Sequence, residues 1–340
     1  NTAGRLTDYS TSGLVETWKI GLQSQINDDL MVRGTWSLDI RAPLVDDLYS
    51  TGGFNNQNNC PNFITGMAPA TFTCQNISGG NPNLQPEKAN TLSAGVVFRP
   101  SFLEGLSASL DWYQIHLHGG LQATGFDTVV SRCRLGEQGY CASISGLNTT
   151  TGLYTSVRTG KVNATLISTA GFDFQMDYGF AFWNGDLDLA FDATYVYDYS
   201  EIREGVRYQG AGQTEGRSNG GARIRGNLSA NYKEGAWSWG IGTRFTGDAK
   251  RYGGTQGQPA LALRAVSYSA AGTPTVSSGE LQEGMVDSNY VPAVFPIDLR
   301  TSYRWNDNIT IYFAIDNIQN LPTVDGTLRR NYRTGVRFNF

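Results

Sequence analysis

Charge is scarce in this chain. Charged residues make up 16% of its 340 residues, and histidine occurs only twice. Soluble domains average about 25% charged residues, so the composition argues against an ordinary cytoplasmic enzyme. The formal net charge of −4 gives no attraction to a polyanion, which disfavours nucleic acid as a partner. No run of 18 apolar residues occurs in the sequence, which excludes a helical membrane span.

The common motifs of catalysis are also missing. The sequence has no Gly-x-Ser-x-Gly element, no phosphate-binding glycine loop and no Cys-x-x-Cys pair. Nucleophilic and nucleotide chemistry therefore lack support, and we expect neither enzyme activity nor a cofactor. His116 and His118 stand two residues apart, but no third metal ligand is near them, so we expect no metal site. A surface enzyme using a Ser/His arrangement, or an adhesin, stays open as an alternative.

Glycine, aromatic residues and strict alternation are abundant instead. The chain contains 41 Gly, 7 Trp, 17 Tyr and 16 Phe. Within residues 30–42, apolar side chains such as Trp36 and Ile40 alternate with polar ones such as Arg33 and Asp39. Such a two-faced strand of about ten residues or more is long enough to cross a bilayer core when tilted. The same pattern predicts strands over residues 14–26, 30–42, 88–98, 106–118, 170–182, 186–199, 222–232, 236–246, 294–305, 308–316 and 329–340, and a partial strand over 3–9.

Short and long connections alternate between the predicted strands. The short ones, such as residues 27–29 and 183–185, consist of residues that tolerate tight turns. In an up-and-down meander the long connections all leave at one end, which is typical of an outer-membrane barrel. The predicted fold class is therefore all-β, a transmembrane antiparallel up-and-down β-barrel with about 11–12 strands present. The long connections cover residues 43–87, 119–169, 200–221, 247–293 and 317–328.

The four cysteines form two close pairs in the long connections. Cys60 and Cys74 lie in the first, and Cys133 and Cys141 lie in the second. Three pairings are formally possible, and four free thiols are the alternative. We expect the local pairing, which would close two loops and place both in an oxidising compartment outside the cell.

The last residues carry a separate signal. They resemble the C-terminal signal that the barrel-assembly machinery reads, with the positions Arg333, Gly335, Phe338 and Phe340. A terminal aromatic residue that faces lipid anchors a strand at the membrane interface. We therefore expect the last strand to run inward, to the periplasm.

Several motifs together identify a family resemblance. Residues 40–43 read Ile-Arg-Ala-Pro and are followed by Asp-Leu-Tyr at 47–49, and residues 80–87 read Gly-Asn-Pro-Asn-Leu-Gln-Pro-Glu. Gly-Phe-Asp-Phe at 171–174 and Asp-Asn-Ile at 316–318 follow in the same order. The chain resembles the C-terminal half of a TonB-dependent outer-membrane receptor. The resemblance implies a barrel of about 22 strands around an N-terminal plug that engages TonB.

The beginning of the sequence shows no plug. Residues 1–10 also lack the basic and apolar regions of a secretory signal. We therefore expect residues 1–340 to be the C-terminal portion of one receptor barrel, without the plug, the TonB box or the first strands. Such a fragment would form an open half-barrel or a loosely closed one.

The polar face of the strands carries two charged strips. Arginine dominates its basic side and suits bidentate pairing with carboxylates. We expect both strips to line the lumen and hold the plug, while the alternative is that the basic strip guides an anionic substrate. The acidic strip is Asp173, Asp177, Asp188 and Asp192, and the basic strip is Arg223, Arg225, Arg244, Arg300 and Arg304.

External aromatic residues are the candidate ligand site, because binding residues concentrate on loops. They either stack on a ligand or pack the loops together. The residues of this set are Tyr49, Phe54, Phe63, Phe72, Tyr140 and Tyr252.

The expected function is TonB-dependent uptake of a scarce or bulky ligand into a Gram-negative cell. Siderophores, cobalamin, haem and oligosaccharides are all taken up on this scaffold, so the fold does not fix the ligand. The expected partners are outer-membrane lipid, the missing plug, TonB through the plug, the barrel-assembly machinery and a small-molecule or glycan ligand. A plug-less passive channel or an autotransporter translocator is the alternative.

Overall fold

The computed structural model consists mainly of antiparallel strands. It describes residues 1–10, 13–67, 69–136, 138–203, 206–214, 221–250, 264–268, 274–278, 286–287, 290–321 and 329–338. The elements are β1 (Thr2–Tyr9), β2 (Gly13–Gln25), β3 (Leu30–Arg41), α1 (Val45–Tyr49), β4 (Phe54–Pro61), β5 (Thr71–Ser78), β6 (Glu87–Phe98), β7 (Leu106–Ala123), α2 (Phe126–Arg134), α3 (Gln138–Cys141), β8 (Ile144–Ser145), β9 (Ser156–Thr159), β10 (Lys161–Phe182), β11 (Gly185–Arg203), β12 (Val206–Gln209), β13 (Ile224–Glu234), β14 (Trp237–Thr246), β15 (Ala249–Lys250), β16 (Arg264–Tyr268), β17 (Pro274–Ser278), β18 (Val286–Asp287), β19 (Tyr290–Val291), β20 (Ile297–Arg304), β21 (Ile309–Asp316) and β22 (Asn331–Phe338).

Twelve strands pair into one antiparallel meander. Their order is β1-β2-β3-β6-β7-β10-β11-β13-β14-β20-β21-β22, and β12 pairs with β11 as a thirteenth strand. Strands β1 and β22 are the two edges, and within the described residues they do not pair with each other. The predicted fold class is confirmed, and the sheet takes the open form.

Three strands are longer than the sequence pattern predicted. Strand β7 continues to Ala123, β10 begins at Lys161 and β11 continues to Arg203. The extension of β10 carries register shifts against β7 between Asn163 and Thr165 and between Thr165 and Ile167, and a further shift against β11 lies next to it, between Ala170 and Gly171. Alternation marks only the part of a strand that has one apolar face, so it gave no signal for the extensions.

The connections have different sizes at the two ends of the sheet, as predicted. At the turn end, tight connections join β2 to β3, β6 to β7, β10 to β11, β13 to β14 and β20 to β21. Trp183 makes the β10–β11 turn with a φ of 52°, and Gly235 makes the β13–β14 turn with a φ of 57°. At the other end, which we call the loop end, the connection from Tyr9 to Gly13 is a short exception.

The first two long connections fold together into one unit with strands and helices of its own, which the sequence pattern did not predict. Strands β4, β5, β9 and β8 form a second sheet in that order, with β5 and β9 parallel. We call residues 54–78 and 126–159 the loop subdomain. Its core contains Val129, Val130 and Val157, and both predicted disulfides, Cys60–Cys74 and Cys133–Cys141, are present in it.

The large sheet has one apolar and one polar face. On the apolar face, a turn-end row of aromatic residues has neighbouring ring centroids 4.6 to 6.4 Å apart. It consists of Tyr178, Phe180, Phe182, Trp183, Tyr232, Trp239, Trp237, Tyr303 and Trp305. A loop-end row consists of Trp18, Trp36, Trp112, Phe172 and Tyr197. Exposed aliphatic side chains such as Leu228 and Ile241 lie on the same face.

Removal of the first disulfide tests the independence of the loop subdomain from the sheet. In the double variant Cys60→Ser/Cys74→Ser we expect a loss of about 3 kcal/mol of subdomain stability, because the crosslink restricts the unfolded chain. Limited proteolysis of the whole protein should then cut within residues 54–78 first, while the strands stay protected. Equal cutting rates with and without the disulfide would contradict this prediction.

Candidate functional site

The pairing register brings the predicted charged strips onto one polar face. Asp192 of β11 lies opposite Asn227 of β13, and Asn227 lies opposite Arg244 of β14. The acidic residues lie on β10 and β11, and the basic residues lie on β13, β14 and β20, with Arg223 directly before β13. A band of neutral polar side chains on β13, including Asn227 and Asn231, separates the two strips.

The acidic strip is bonded mainly to neutral groups, and the basic strip has no bound carboxylate among the described residues. Asp173 Oδ1 accepts a hydrogen bond from Thr194 Oγ1 at 2.6 Å, and Asp192 Oδ2 accepts one from Asn227 Nδ2 at 2.8 Å. Asp188 lies 3.7 Å from Lys233 Nζ. Arg223 Nη1 donates to the backbone oxygen of Tyr197 at 2.8 Å. In the described part of the chain, the guanidinium groups of the basic strip form no ion pair, so their charge is not yet neutralised by a carboxylate or phosphate. Arg244 and Arg300 line one concavity of about 150 Å³. Whether these strips face a plug stays a prediction.

Elsewhere on the polar face, arginines are paired. Arg33 binds Asp111 through two bonds of 2.7 and 2.5 Å, which joins β3 to β7 across β6. Arg333 Nη2 donates to Asp316 Oδ1 at 2.7 Å, which joins β22 to β21. These bidentate and short contacts fix neighbouring strands to one another.

The external aromatic residues divide into packed and exposed ones. Phe63, Phe72 and Tyr140 pack against the core of the loop subdomain. Phe54 and Tyr49 are 77% and 58% exposed. Tyr252 lies outside the described residues. The structure thus brings three of the six candidates together around the disulfides, and a ligand role for any of them stays a prediction.

The motif at residues 47–49 holds a buried anion. The Asp47 side chain is 3% exposed, and Lys161 Nζ at the start of β10 donates to its Oδ1 at 2.5 Å. Its Oδ2 accepts a hydrogen bond from the Leu44 backbone N–H at 3.1 Å. The bond from Lys161 holds the pKa of Asp47 below its usual range. This contact ties α1 to the first residue of β10.

The motif at residues 80–87 packs on the same helix. A Cβ added to Gly80 would lie 2.4 Å from the carbonyl carbon of Leu48, so a side chain does not fit there. Asn81 Nδ2 donates to the backbone oxygen of Lys161 at 3.0 Å. The two motifs therefore form one junction with the start of β10, at the place where the chain passes between the sheet and the loop subdomain. Sequence reasoning recognised the motifs only as family signals.

Glu87 is a second buried carboxylate at this junction. Its Oε1 accepts the Leu121 backbone N–H at 2.7 Å, and its Oε2 accepts a bond from Arg41 at 3.1 Å. Strands β3, β6 and β7 are thereby joined at the loop end. Sequence reasoning missed this role. The available signal was that Glu87 directly follows Pro86 and is the first acidic residue after Asp47.

The predicted assembly signal lies on the edge strand β22. Gly335 lies opposite Tyr312, and an added Cβ would be 2.5 Å from the Tyr312 hydroxyl. Phe338 is 57% exposed on the apolar face. Phe340 lies outside the described residues. Recognition by the assembly machinery stays a prediction.

The two histidines lie on β7 near the loop end. His116 is opposite Asn90 and His118 is opposite Lys88. Among the described residues, no group of three or more His, Cys, Asp or Glu side chains could hold a metal ion. Among the helices in those same ranges, none is long and apolar enough to cross a membrane.

Comparison with protein families identifies the meander. The family described as TonB dependent receptor-like, β-barrel, matches residues 1–318. The chain belongs to the TonB-dependent receptor family. This confirms the resemblance that the motifs predicted. Among curated protein sequences, none matches the chain.

Solved structures share the fold of this receptor barrel at low sequence identity. The siderophore receptor PirA from Acinetobacter baumannii is 15% identical with a TM-score of 0.64, and the match covers 99% of this chain and 43% of PirA. A variant of the ferric enterobactin receptor PfeA from Pseudomonas aeruginosa, in complex with enterobactin, is 12% identical with a TM-score of 0.62 and coverages of 100% and 43%. The copper transporter OprC is 12% identical with a TM-score of 0.51, and the match covers 96% of this chain and 40% of OprC. The chain thus spans less than half the length of these structures, and the likeness shows the fold alone.

The Asp47–Lys161 contact predicts a pH dependence of the receptor junction. The pKa of Asp47 is lower in the folded state than in the unfolded chain, so its stabilisation is complete above about pH 4 and is lost as the pH falls through the folded pKa. The variant Asp47→Asn should lose about 1–3 kcal/mol at neutral pH and lack this acid transition. Hydrogen exchange of residues 44–50 in the whole receptor, measured from about pH 3 to about pH 7, checks it. An unchanged acid transition in the variant would contradict the assignment.

The difference between the two faces predicts that a charged substitution destabilises the protein more on the apolar face than on the polar face. Leu228 lies between the two aromatic rows and Ser229 lies next to it on the polar face. If the apolar face contacts hydrocarbon, Leu228→Arg should destabilise the lipid-embedded receptor by about 2–4 kcal/mol. The matched control Ser229→Arg should cost much less. Denaturant unfolding in lipid vesicles measures both, and equal costs would show that the two faces have the same surroundings.

Proposed function

We propose that this chain forms part of the barrel of an outer-membrane receptor that takes up an external ligand by TonB-dependent active transport in a Gram-negative bacterium. The observation that carries the proposal is the family match over residues 1–318, joined to a meander whose two faces differ in polarity. In this proposal, residues 1–340 belong to a single barrel domain, and a plug from the same protein occupies the lumen.

The spacing of the aromatic rows supports a membrane location. Phe172 and Phe182 on β10 belong to the loop-end and turn-end rows, ten residues apart. At about 3.4 Å per residue they are ~34 Å apart along the strand, and a tilt of about 40° reduces this to ~25 Å of height. That height equals the apolar band of outer-membrane barrels, which aromatic girdles border on both sides.

The polar face supports an interior role. Its open basic strip and its hydrogen-bonded acidic strip offer charges of both signs to whatever fills the barrel. A plug with complementary carboxylates would bind Arg244 and Arg300 and be released when these contacts change. In this proposal TonB, acting on the plug, supplies the energy for that rearrangement, and the external connections capture the ligand first.

Uptake measurements on cells test the proposal. Depletion of compounds from a defined medium is compared among the parent strain, a strain lacking this gene and a strain lacking TonB. We expect at least one compound to remain in the medium of both deletion strains and to be consumed again when the gene is restored. Its identity would name the ligand.

Two results would overturn the proposal. One is identical consumption in the parent and the gene deletion while the protein is present in the outer membrane of the parent. The other is rapid swelling of vesicles that contain the purified full-length protein, because a constitutive pore would favour the plug-less channel.

A further inference from the structure

Residues 48–86, which include the first part of the loop subdomain, carry no ionisable side chain other than those of Tyr49, Cys60 and Cys74. Between Asp47 and Glu87 the sequence has no Asp, Glu, Lys, Arg or His, but it has many Asn and Gln residues. External protein surfaces are normally rich in charge, because charged side chains are seldom buried. Solubility alone therefore does not explain a surface that has no charge and many amide side chains, and a binding role would explain it.

Part of this segment lines an open groove. The groove has a volume of about 770 Å³, and none of its lining residues carries a charge. Exposed Asn56 and Gln75 lie opposite each other on β4 and β5, with Thr73 on the same strand as Gln75. Asn148 and Thr155 border the groove from the second connection. Two segments distant in the sequence thus build one surface.

The floor of the groove is apolar and firmly held. The Phe72 ring meets Tyr154 edge-on with centroids 4.8 Å apart, and Tyr154 is only 4% exposed. The Tyr154 hydroxyl donates to the Pro61 carbonyl at 2.9 Å, and burial raises its pKa to about 12. Cys74 of the first disulfide also lines the groove. A rigid floor lowers the ordering cost of binding.

The polar rim has unused hydrogen-bonding groups. Within the described residues, the side chains of Asn56, Thr73 and Gln75 form no hydrogen bond to the protein. Each amide offers two donors and an acceptor, and each hydroxyl offers one donor and acceptor lone pairs. This combination matches ligands whose groups both donate and accept. An anionic chelate would instead favour basic side chains, and the groove has none.

We propose that this groove binds a neutral, hydroxyl-rich ligand, an oligosaccharide, whose sugar ring lies against Phe72 and whose hydroxyl groups bond to Asn56, Gln75 and Asn148. Pockets that combine a few convergent polar groups with aromatic surface are typical ligand sites, and the volume falls in their usual range. The inference rests on the proposed uptake function, for which it names the substrate class.

Binding to the purified full-length receptor in detergent tests the groove. The probes are an array of neutral linear gluco-, xylo-, manno- and malto-oligosaccharides and, as an anionic comparator, a ferric tris-catecholate chelate. We expect at least one neutral oligosaccharide to bind to the receptor and the ferric chelate not to bind. In Asn56→Ala/Gln75→Ala the affinity should fall about tenfold, because two neutral hydrogen bonds are lost.

A matched control lies on the same strand. Asn58 and Asn59 are exposed on β4 and do not line the groove, so Asn58→Ala/Asn59→Ala should bind as the parent does. Neither pair of substitutions removes a protein hydrogen bond seen among the described residues, so both variants should fold. An array on which no oligosaccharide binds, or binding that the groove variant does not weaken, would overturn the inference.

The uptake measurements separate this inference from the proposed function. TonB-dependent uptake of another compound, with no oligosaccharide bound, would refute the groove and leave the receptor function intact. The opposite outcome combines two results: the purified receptor binds an oligosaccharide more weakly when the groove is substituted, and cells consume compounds equally with and without TonB. That outcome would refute the uptake function and leave the binding site intact.

Discussion

The structure depends on one constraint: each strand of the meander must satisfy its backbone hydrogen bonds with its two neighbours. In hydrocarbon no water is available to replace a missing partner, so strands that cross a membrane pair along their whole apolar length. The antiparallel ladder from β1 to β22 meets this requirement everywhere except at its two edges. Side chains then alternate between the faces, which separates the aromatic rows from the charged strips.

The candidate binding groups lie where this constraint ends. Above the loop-end aromatic row, register shifts enter β10 and the long connections begin. There the chain can form a compact unit with its own core, and the two disulfides stabilise a unit that is small for an independent hydrophobic core. Buried carboxylates lie where the chain passes between this unit and the sheet: Asp47 joins α1 to β10, and Glu87 joins β3, β6 and β7. The receptor thus combines a uniform wall with a specialised external part.

The charges of the two regions differ. The basic strip on the polar face of the sheet presents arginines without ionic partners in the described residues, whereas the groove of the loop subdomain presents only amides and hydroxyl groups around an aromatic floor. Basic side chains suit an acidic protein surface, and neutral donors and acceptors suit a hydroxyl-rich ligand. The division is consistent with an interior that holds protein and an exterior that recognises a small molecule.

Sequence alone determined the main part of each meander strand and its two faces, because alternation with a period of two is a local property that a bilayer imposes on every crossing strand. The family followed from short motifs, which are also local, whereas the extensions of β7, β10 and β11 left no such signal. It also favoured the local cysteine pairing, since each pair lies close in the chain, and the structure decided between that pairing and the alternatives. Only the tertiary structure decided the loop subdomain, the junction and the groove. Their contacts join residues far apart in the chain, such as Lys161 with Asp47, 114 positions away, and no periodic pattern records such a pairing.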